Sequence, residues 1–145
     1  MAYRFYGWQR ATMPAIDREY PGIDTPRALY DALLHCWRAE TCAPRMRDAW
    51  TPDDPTLGQC SITAFLVQDI FGGEVYGVPL KEGGFHCYNV VDGVAFDLTS
   101  EQFGDGKLRY DTLHPQRREE HFASDEKRQR YEALKTLLRE QVSRE

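Results

Sequence analysis

The sequence lacks the features that define several protein classes. Its four cysteines form no Cys-x-x-Cys pair and are too sparse for a disulfide scaffold, so we expect reduced thiols. No stretch approaches the roughly 20 consecutive apolar residues of a membrane span. The first ten residues contain Arg4 and Arg10 where a signal peptide would need an apolar run. These absences predict a cytoplasmic protein that does not enter a membrane.

An excess of positive charge is missing as well. The formal net charge is -5, so the chain has no bulk attraction for phosphate backbones, and we expect no nucleic-acid partner. Phosphate-binding loops are absent too. Gly83-Gly84 and Gly104-x-Gly106 lack the strand–loop–helix context of such loops and the lysine and serine that follow them.

What remains is an ordinary globular composition. The chain has 145 residues, of which 41% are hydrophobic and 28% charged. This length is typical of one domain and is sufficient to bury a core. With no internal repeat or composition shift in view, the sequence predicts a single domain over residues 1–145.

The first predicted helix begins at Pro26, since proline suits the first turn of a helix. The preceding Asp24-Thr25 offers side-chain oxygens that can cap it. An apolar stripe at helical spacing continues to Trp37 and predicts an end near Glu40. Several prolines then predict a connecting loop over residues 41–58.

Two further helices differ in their apolar pattern. Residues 59–71 are apolar on most sides, which predicts a helix in the centre of the domain. Residues 124–143 instead carry one apolar face. Tyr131, Leu134 and Leu138 lie on that face at spacings of three and four residues, so we expect them to be buried.

Three short strands are predicted between these two helices. They span residues 74–80, 84–91 and 94–99, which are enriched in valine, tyrosine and phenylalanine. Asp92-Gly93 is a strong signal for a two-residue hairpin turn between the last two strands. The fold class is therefore α+β, with a short antiparallel sheet packed on the helix that begins at Cys60 and flanked by amphipathic helices.

This hairpin brings a histidine and an aspartate to one face of the sheet. If the turn has two residues, Val91 pairs with Val94, and Tyr88 lies opposite Asp97. Side chains alternate along a strand, so His86 and Asp97 become diagonal neighbours within reach of each other. A carboxylate in this position would orient the imidazole and stabilise its protonated form.

Cys60 is the candidate nucleophile. It lies at the start of a buried helix, where free N–H groups and the helix dipole favour the thiolate over the thiol. Gly58 would leave room for a substrate to approach. A single free cysteine is more often a small core residue, and His86 and Asp97 each have ordinary structural explanations. It is the order of the three along the chain that favours a catalytic site.

Three other residues are candidates for supporting roles. Gln59 can offer its side-chain amide to a developing oxyanion beside the backbone N–H of Cys60, or it can cap the helix or face solvent. Trp50 and Tyr88 can line a substrate groove, although packing is the commoner role of such aromatic residues.

A metal site is the main alternative to this interpretation. His35-Cys36 and His86-Cys87 place two ligand types side by side. Adjacent residues diverge on both helices and strands, and the short spacings typical of zinc ligands are absent. The sequence therefore predicts no metal and no cofactor. Cys36 and Cys87 are predicted to be core residues, and Cys42 a loop thiol.

The order of a cysteine at a helix start, a histidine on a strand and an aspartate on the paired strand resembles the papain-like and transglutaminase-like superfamily. Residues 50–103 also resemble the YunG family of small bacterial proteins. The segments that carry this resemblance are Asp54-Pro55-Thr56-Leu57-Gly58-Gln59-Cys60, Gln68-Asp69, Gly72-Gly73, His86, Asp92-Gly93, Asp97-Leu98-Thr99 and Gln102-Phe103. The resemblance implies a Cys-His-Asp site at Cys60, His86 and Asp97.

The expected function is that of a thiol-dependent hydrolase or acyl transferase. Its substrate would be an amide, ester or thioester, and the acyl group would pass through Cys60. Peptidases, amidases, deamidases and transferases share this chemistry as far as the acyl-enzyme. Broad proteolysis is not expected, because the chain is too short for the large lobes that form a peptide cleft. The alternative is a non-catalytic binding module on the same fold.

Overall fold

The structure, a computed structural model, describes residues 3–104 and 108–144, so Gly106 of the glycine pair at 104–106 lies outside the described residues. In this part of the chain, four α-helices and a three-stranded antiparallel sheet give an α+β fold. In chain order, the elements are α1 Pro26–Leu33, α2 Cys60–Phe71, β1 Glu74–Pro79, β2 Phe85–Val91, β3 Val94–Phe96, α3 Arg118–His121 and α4 Asp125–Ser143.

The sheet has the order β1-β2-β3, and the predicted hairpin register is confirmed because Val91 pairs with Val94. Asp92 and Gly93 both adopt left-handed backbone angles, with φ of 52° and 78°, as a tight hairpin turn requires. β3 is shorter than predicted and ends at Phe96. The N–H of the next residue, Asp97, donates to the carbonyl of Tyr6 at 2.9 Å instead of extending the strand.

Helix α2 lies at the centre of the core, as its composition predicted. Most of its side chains are buried, and it packs mainly against β2. The side-chain amide of Asn89 on β2 donates to the carbonyl of Ala64 on α2 at 2.9 Å. This buried hydrogen bond fixes the helix against the strand that carries His86.

Helix α1 ends earlier than predicted. Thr25 caps its N-terminus by accepting the N–H of Ala28, but the helix stops at Leu33 instead of continuing to about Glu40. The guanidinium group of Arg38 folds back and donates to the carbonyls of Cys36 and His35, at 3.1 and 3.3 Å. These bonds satisfy carbonyl groups that a longer helix would have paired internally.

The predicted loop over residues 41–58 is more ordered than expected. It contains the 3-10 helix Pro44–Ala49. Cys42 lies in the connection just before that helix, as predicted for a loop thiol, but its side chain is fully buried. The reason is the close approach of Gly58, which has φ of 70°. A Cβ atom there would lie 2.4 Å from the Cys42 sulfur. The absence of a side chain at Gly58 therefore makes room for Cys42.

Helix α4 confirms the amphipathic pattern of the C-terminal segment. Ser124 caps it by accepting the N–H of Lys127 at 3.2 Å. Tyr131, Leu134 and Leu138 are all buried, and the helix packs mainly on α2.

The helices in residues 3–104 and 108–144 are all too short or too polar to cross a lipid bilayer.

The packing of α4 on the core predicts the effect of truncating a buried leucine. Leu134→Ala should lower the free energy of unfolding by about 2–5 kcal/mol, because it leaves a cavity at a fully buried position. Leu113 is 69% exposed, so Leu113→Ala serves as the matched control and should change stability by no more than about 0.5 kcal/mol. Urea unfolding of both variants measures the difference. Equal losses would contradict the placement of α4.

Candidate active site

His86 and Asp97 form a buried pair. The Nε2 atom of His86 lies 2.6 Å from Oδ2 of Asp97, and each side chain is 1% exposed. An ionised carboxylate can only accept hydrogen bonds, so Nε2 carries the proton of this bond. The other ring nitrogen, Nδ1, is then free to face Cys60. His86 lies on β2, and Asp97 lies just after β3 instead of within the predicted third strand. The two side chains still meet, as the hairpin register predicted.

Asp97 receives further hydrogen bonds that hold it in place. Tyr110 donates its hydroxyl to Oδ2 at 2.8 Å. Thr99 donates its N–H and its hydroxyl to Oδ1, at 3.0 and 3.2 Å. Hydrogen bonds of this kind stabilise a carboxylate away from water. Both carboxylate oxygens are therefore engaged, and the side chain has a fixed orientation toward His86.

Tyr110 was not predicted from the sequence. Burial, followed by the negative charge of Asp97, raises the pKa of the Tyr110 phenol, so it remains a hydrogen-bond donor. Its ring stacks on Tyr6 with a centroid distance of 3.9 Å. Tyr6 also accepts the N–H of Asp97, so the N-terminal segment supports the carboxylate through both contacts.

Cys60 is the first residue of α2, and among the described residues no side chain caps that helix. The thiol of Cys87, His86 and the backbone N–H of Cys87 all interact with its sulfur. These contacts hold the pKa of the Cys60 thiol well below its ordinary value, although burial acts in the opposite direction. The sulfur is therefore stabilised as a thiolate.

The charge of His86 follows from the same contacts. Burial by itself lowers the pKa of the imidazole, but the negative charges and hydrogen bonds of Asp97 and Cys60 outweigh it and raise the pKa to about 10. The lowered pKa of Cys60 and the raised pKa of His86 together favour a thiolate–imidazolium pair over two neutral groups.

A pocket of about 390 Å³ opens onto Cys60 and His86. The edge of Phe103 meets the His86 ring, with a centroid distance of 4.7 Å and an interplanar angle of 86°. The side chain of Gln102 accepts the N–H of Gly58 at 3.3 Å and donates to the carbonyl of Thr99 at 2.9 Å. This bridge joins the segment that carries Asp97 to the segment that precedes Cys60.

The three predicted supporting residues lie outside the lining of this pocket. Gln59 is fully buried, and its amide donates to the carbonyl of Arg38 at 3.1 Å. Trp50 donates its indole N–H to the carbonyl of Pro55 at 3.0 Å. Tyr88 is 1% exposed, and its hydroxyl accepts the N–H of Thr112. The structure thus gives each of these residues a hydrogen bond to a backbone group and places none of them in the lining of the pocket.

Cys87 is buried, as predicted for a core residue, but the sequence gave no sign of its contact with Cys60. Its side chain leaves β2 on the face opposite to that of His86, and both still interact with the Cys60 sulfur at the start of α2. Within residues 3–104 and 108–144, no three His, Cys, Asp or Glu side chains are grouped as metal ligands would be.

Comparisons with known proteins identify the family. Residues 25–143 match the family model described as YunG protein, so the chain belongs to the YunG family. It is similar to "Uncharacterized protein YunG" of Bacillus subtilis (strain 168), with 40% identity over 86 residues, which cover 59% of this chain and 71% of that protein. No solved structure matches the chain.

The site predicts selective alkylation of Cys60. At about pH 6 an ordinary thiol with a pKa near 8.5 is less than about 1% thiolate. Cys60 should therefore capture most of a limiting dose of iodoacetamide, because its lowered pKa gives it a larger thiolate fraction and it lines the pocket. Peptide mapping by mass spectrometry compares it with Cys36, Cys42 and Cys87, all of which are buried.

Two variants test the cause of this reactivity. His86→Ala should slow the alkylation of Cys60 substantially, and Asp97→Asn should slow it less, because it removes only the charge that supports His86. Circular dichroism checks that both variants are folded. Preferential alkylation of another cysteine, or an unchanged rate in folded His86→Ala, would show that the two residues are not an activated pair.

Proposed function

We propose that this member of the YunG family is a thiol-dependent hydrolase or acyl transferase with Cys60, His86 and Asp97 as its catalytic residues. The observation that carries the proposal is the buried His86–Asp97 hydrogen bond of 2.6 Å beside a cysteine that contacts the same imidazole. Structural histidines do not need both a buried carboxylate and a cysteine at the mouth of a pocket.

In the proposed reaction, the Cys60 thiolate attacks the carbonyl carbon of an amide, ester or thioester. The backbone N–H of Cys60, at the uncapped start of α2, donates to the developing oxyanion. His86 gives its proton to the leaving group, and Asp97 holds the ring in place. Water or an acceptor amine, deprotonated by His86, then attacks the thioester and releases Cys60.

We further propose that the core is related to papain-like and transglutaminase-like enzymes. A cysteine at the start of a buried helix faces a histidine on β2 and an aspartate just after β3, which resembles the arrangement of that superfamily. The support is this spatial order together with the chemistry of the three residues. In the described part of the chain, a three-stranded sheet is sufficient to produce it.

The pocket favours a small substrate or a single protruding side chain. Its volume of about 390 Å³ is near the lower end of the range for small-molecule sites. Apolar side chains form much of its wall: Ala43, Pro44, Met46, Leu80, Phe85 and Phe103. An acyl group or side chain with an apolar body fits this lining.

Trapping an acyl-enzyme tests the proposal. The protein is mixed with a panel of p-nitrophenyl esters and thioesters of increasing acyl length, and intact-protein mass spectrometry detects added acyl groups. We expect one acyl group to appear on Cys60 and to be lost again on longer incubation. If the enzyme is a transferase, a primary amine should accelerate this loss. Cys60→Ala should take up none. Cys42→Ala is the matched control and should behave like the unmodified protein, since Cys42 is fully buried.

The alternative, a non-catalytic binding module, predicts a different pattern. The folded protein would then take up no acyl group from any ester in the panel, or would take it up equally in Cys60→Ala. Either result would contradict the enzymatic proposal.

A further inference from the structure

Cys60 and Cys87 bring together two thiols that differ in exposure and in the direction of their pKa shift. Cys60 lines the pocket and is partly exposed, whereas Cys87 is 1% exposed beneath it. The contact raises the pKa of the Cys87 thiol well above its ordinary value, with burial acting in the same direction. Cys87 therefore keeps its proton while Cys60 is ionised. The acyl chemistry proposed above uses Cys60 but requires no second thiol.

The backbone explains why the two sulfurs meet. The pairing of β2 with β3 ends at the pair Asn89–Phe96. The edge of β2 that faces β3 is therefore unpaired with that strand at Cys87. On the other side of β2, Gly77 of β1 faces Cys87 but donates its own N–H to His114. The N–H of Cys87 thus points to the edge that β3 has left, and its interaction with the Cys60 sulfur helps to lower the pKa of that thiol. The first residue of α2 occupies this edge.

We propose that Cys60 and Cys87 are an oxidisable pair that forms an intramolecular disulfide after reaction with a hydroperoxide. The exposed thiolate of Cys60 attacks the terminal peroxide oxygen, the O–O bond breaks, and Cys60 becomes a sulfenic acid. The released alkoxide or hydroxide takes the proton of His86. The Cys87 sulfur then attacks the Cys60 sulfur, an S–S bond forms, and the hydroxyl group leaves with the Cys87 proton as water.

The disulfide would protect the nucleophile and inactivate it at the same time. Cys87 is too buried to react with peroxide in solution, so it responds only to oxidation of Cys60. Formation of the disulfide stops the irreversible step from sulfenic to sulfinic acid, and an exogenous thiol restores both cysteines. The inference needs the Cys60 thiolate but does not depend on the acyl reaction.

The other two cysteines lack this arrangement. Cys36 is buried and directs its thiol to the carbonyl of Ala32 at 3.3 Å. Cys42 is buried beneath Gly58, two residues before Cys60, and is the one alternative partner to exclude by experiment.

Trypsin separates all four cysteines, which makes the test direct. Cleavage after arginine and lysine places Cys36, Cys42, Cys60 and Cys87 on the peptides 28–38, 39–45, 48–81 and 82–107. The reduced full-length protein is treated with stoichiometric hydrogen peroxide, blocked with N-ethylmaleimide in denaturant and digested without reductant. We expect peptides 48–81 and 82–107 to appear as a linked pair that dithiothreitol separates.

Two variants at the buried position complete the test. In Cys87→Ser and Cys87→Ala, dimedone should trap a sulfenic acid on Cys60, and excess peroxide should convert it to sulfinic acid faster than in the unmodified protein. Cys42→Ala should still form the linked pair. A Cys60–Cys42 link, or oxidation of Cys60 to sulfinic acid in the unmodified protein with no Cys60–Cys87 link, would overturn the inference. A protein that forms the disulfide but accepts no acyl group would contradict only the proposed function.

Discussion

The hydrogen bond between His86 and Asp97 is the interaction on which the site depends. Burying a carboxylate and an imidazolium is unfavourable unless they are paired and their remaining polar atoms are hydrogen-bonded. Here Tyr110 and Thr99 complete the hydrogen bonding of Asp97. Removal of one partner would leave an uncompensated buried charge. The local structure is therefore organised to keep this pair intact.

Several features of the fold follow from this requirement. β3 ends at Phe96 because Asp97 turns its N–H to Tyr6 and its carboxylate to Thr99. The N-terminal segment contributes by holding that N–H and by stacking Tyr6 on Tyr110. The chain thus uses segments that are distant in sequence to position one carboxylate, which then orients one imidazole toward the start of α2.

The sequence predicted the parts of the site that depend on local pattern. The turn at Asp92-Gly93 determined the strand register, and the alternation of side chains then placed His86 and Asp97 on one face. The spacing of Leu134 and Leu138 likewise predicted the buried face of α4.

Contacts between distant segments were not predictable in this way. Arg38 ends α1 through bonds to backbone carbonyls, and Gly58 buries Cys42 through a close approach of two loops. Tyr110 and Cys87 reach the site from positions with no distinctive local pattern. Each of these depends on tertiary packing, which composition and periodicity do not specify.

The central claim is that Cys60 and His86 form a thiolate–imidazolium pair in the resting protein. ¹⁵N NMR of the histidine ring measures this directly, with the His86 signals assigned by their loss in His86→Ala. We expect both ring nitrogens of His86 to remain protonated at neutral pH and to titrate near pH 10. They should titrate at lower pH when Cys60→Ala removes the negative charge. A His86 ring that is neutral at pH 7 and titrates near the ordinary value of about 6.5 would contradict the account.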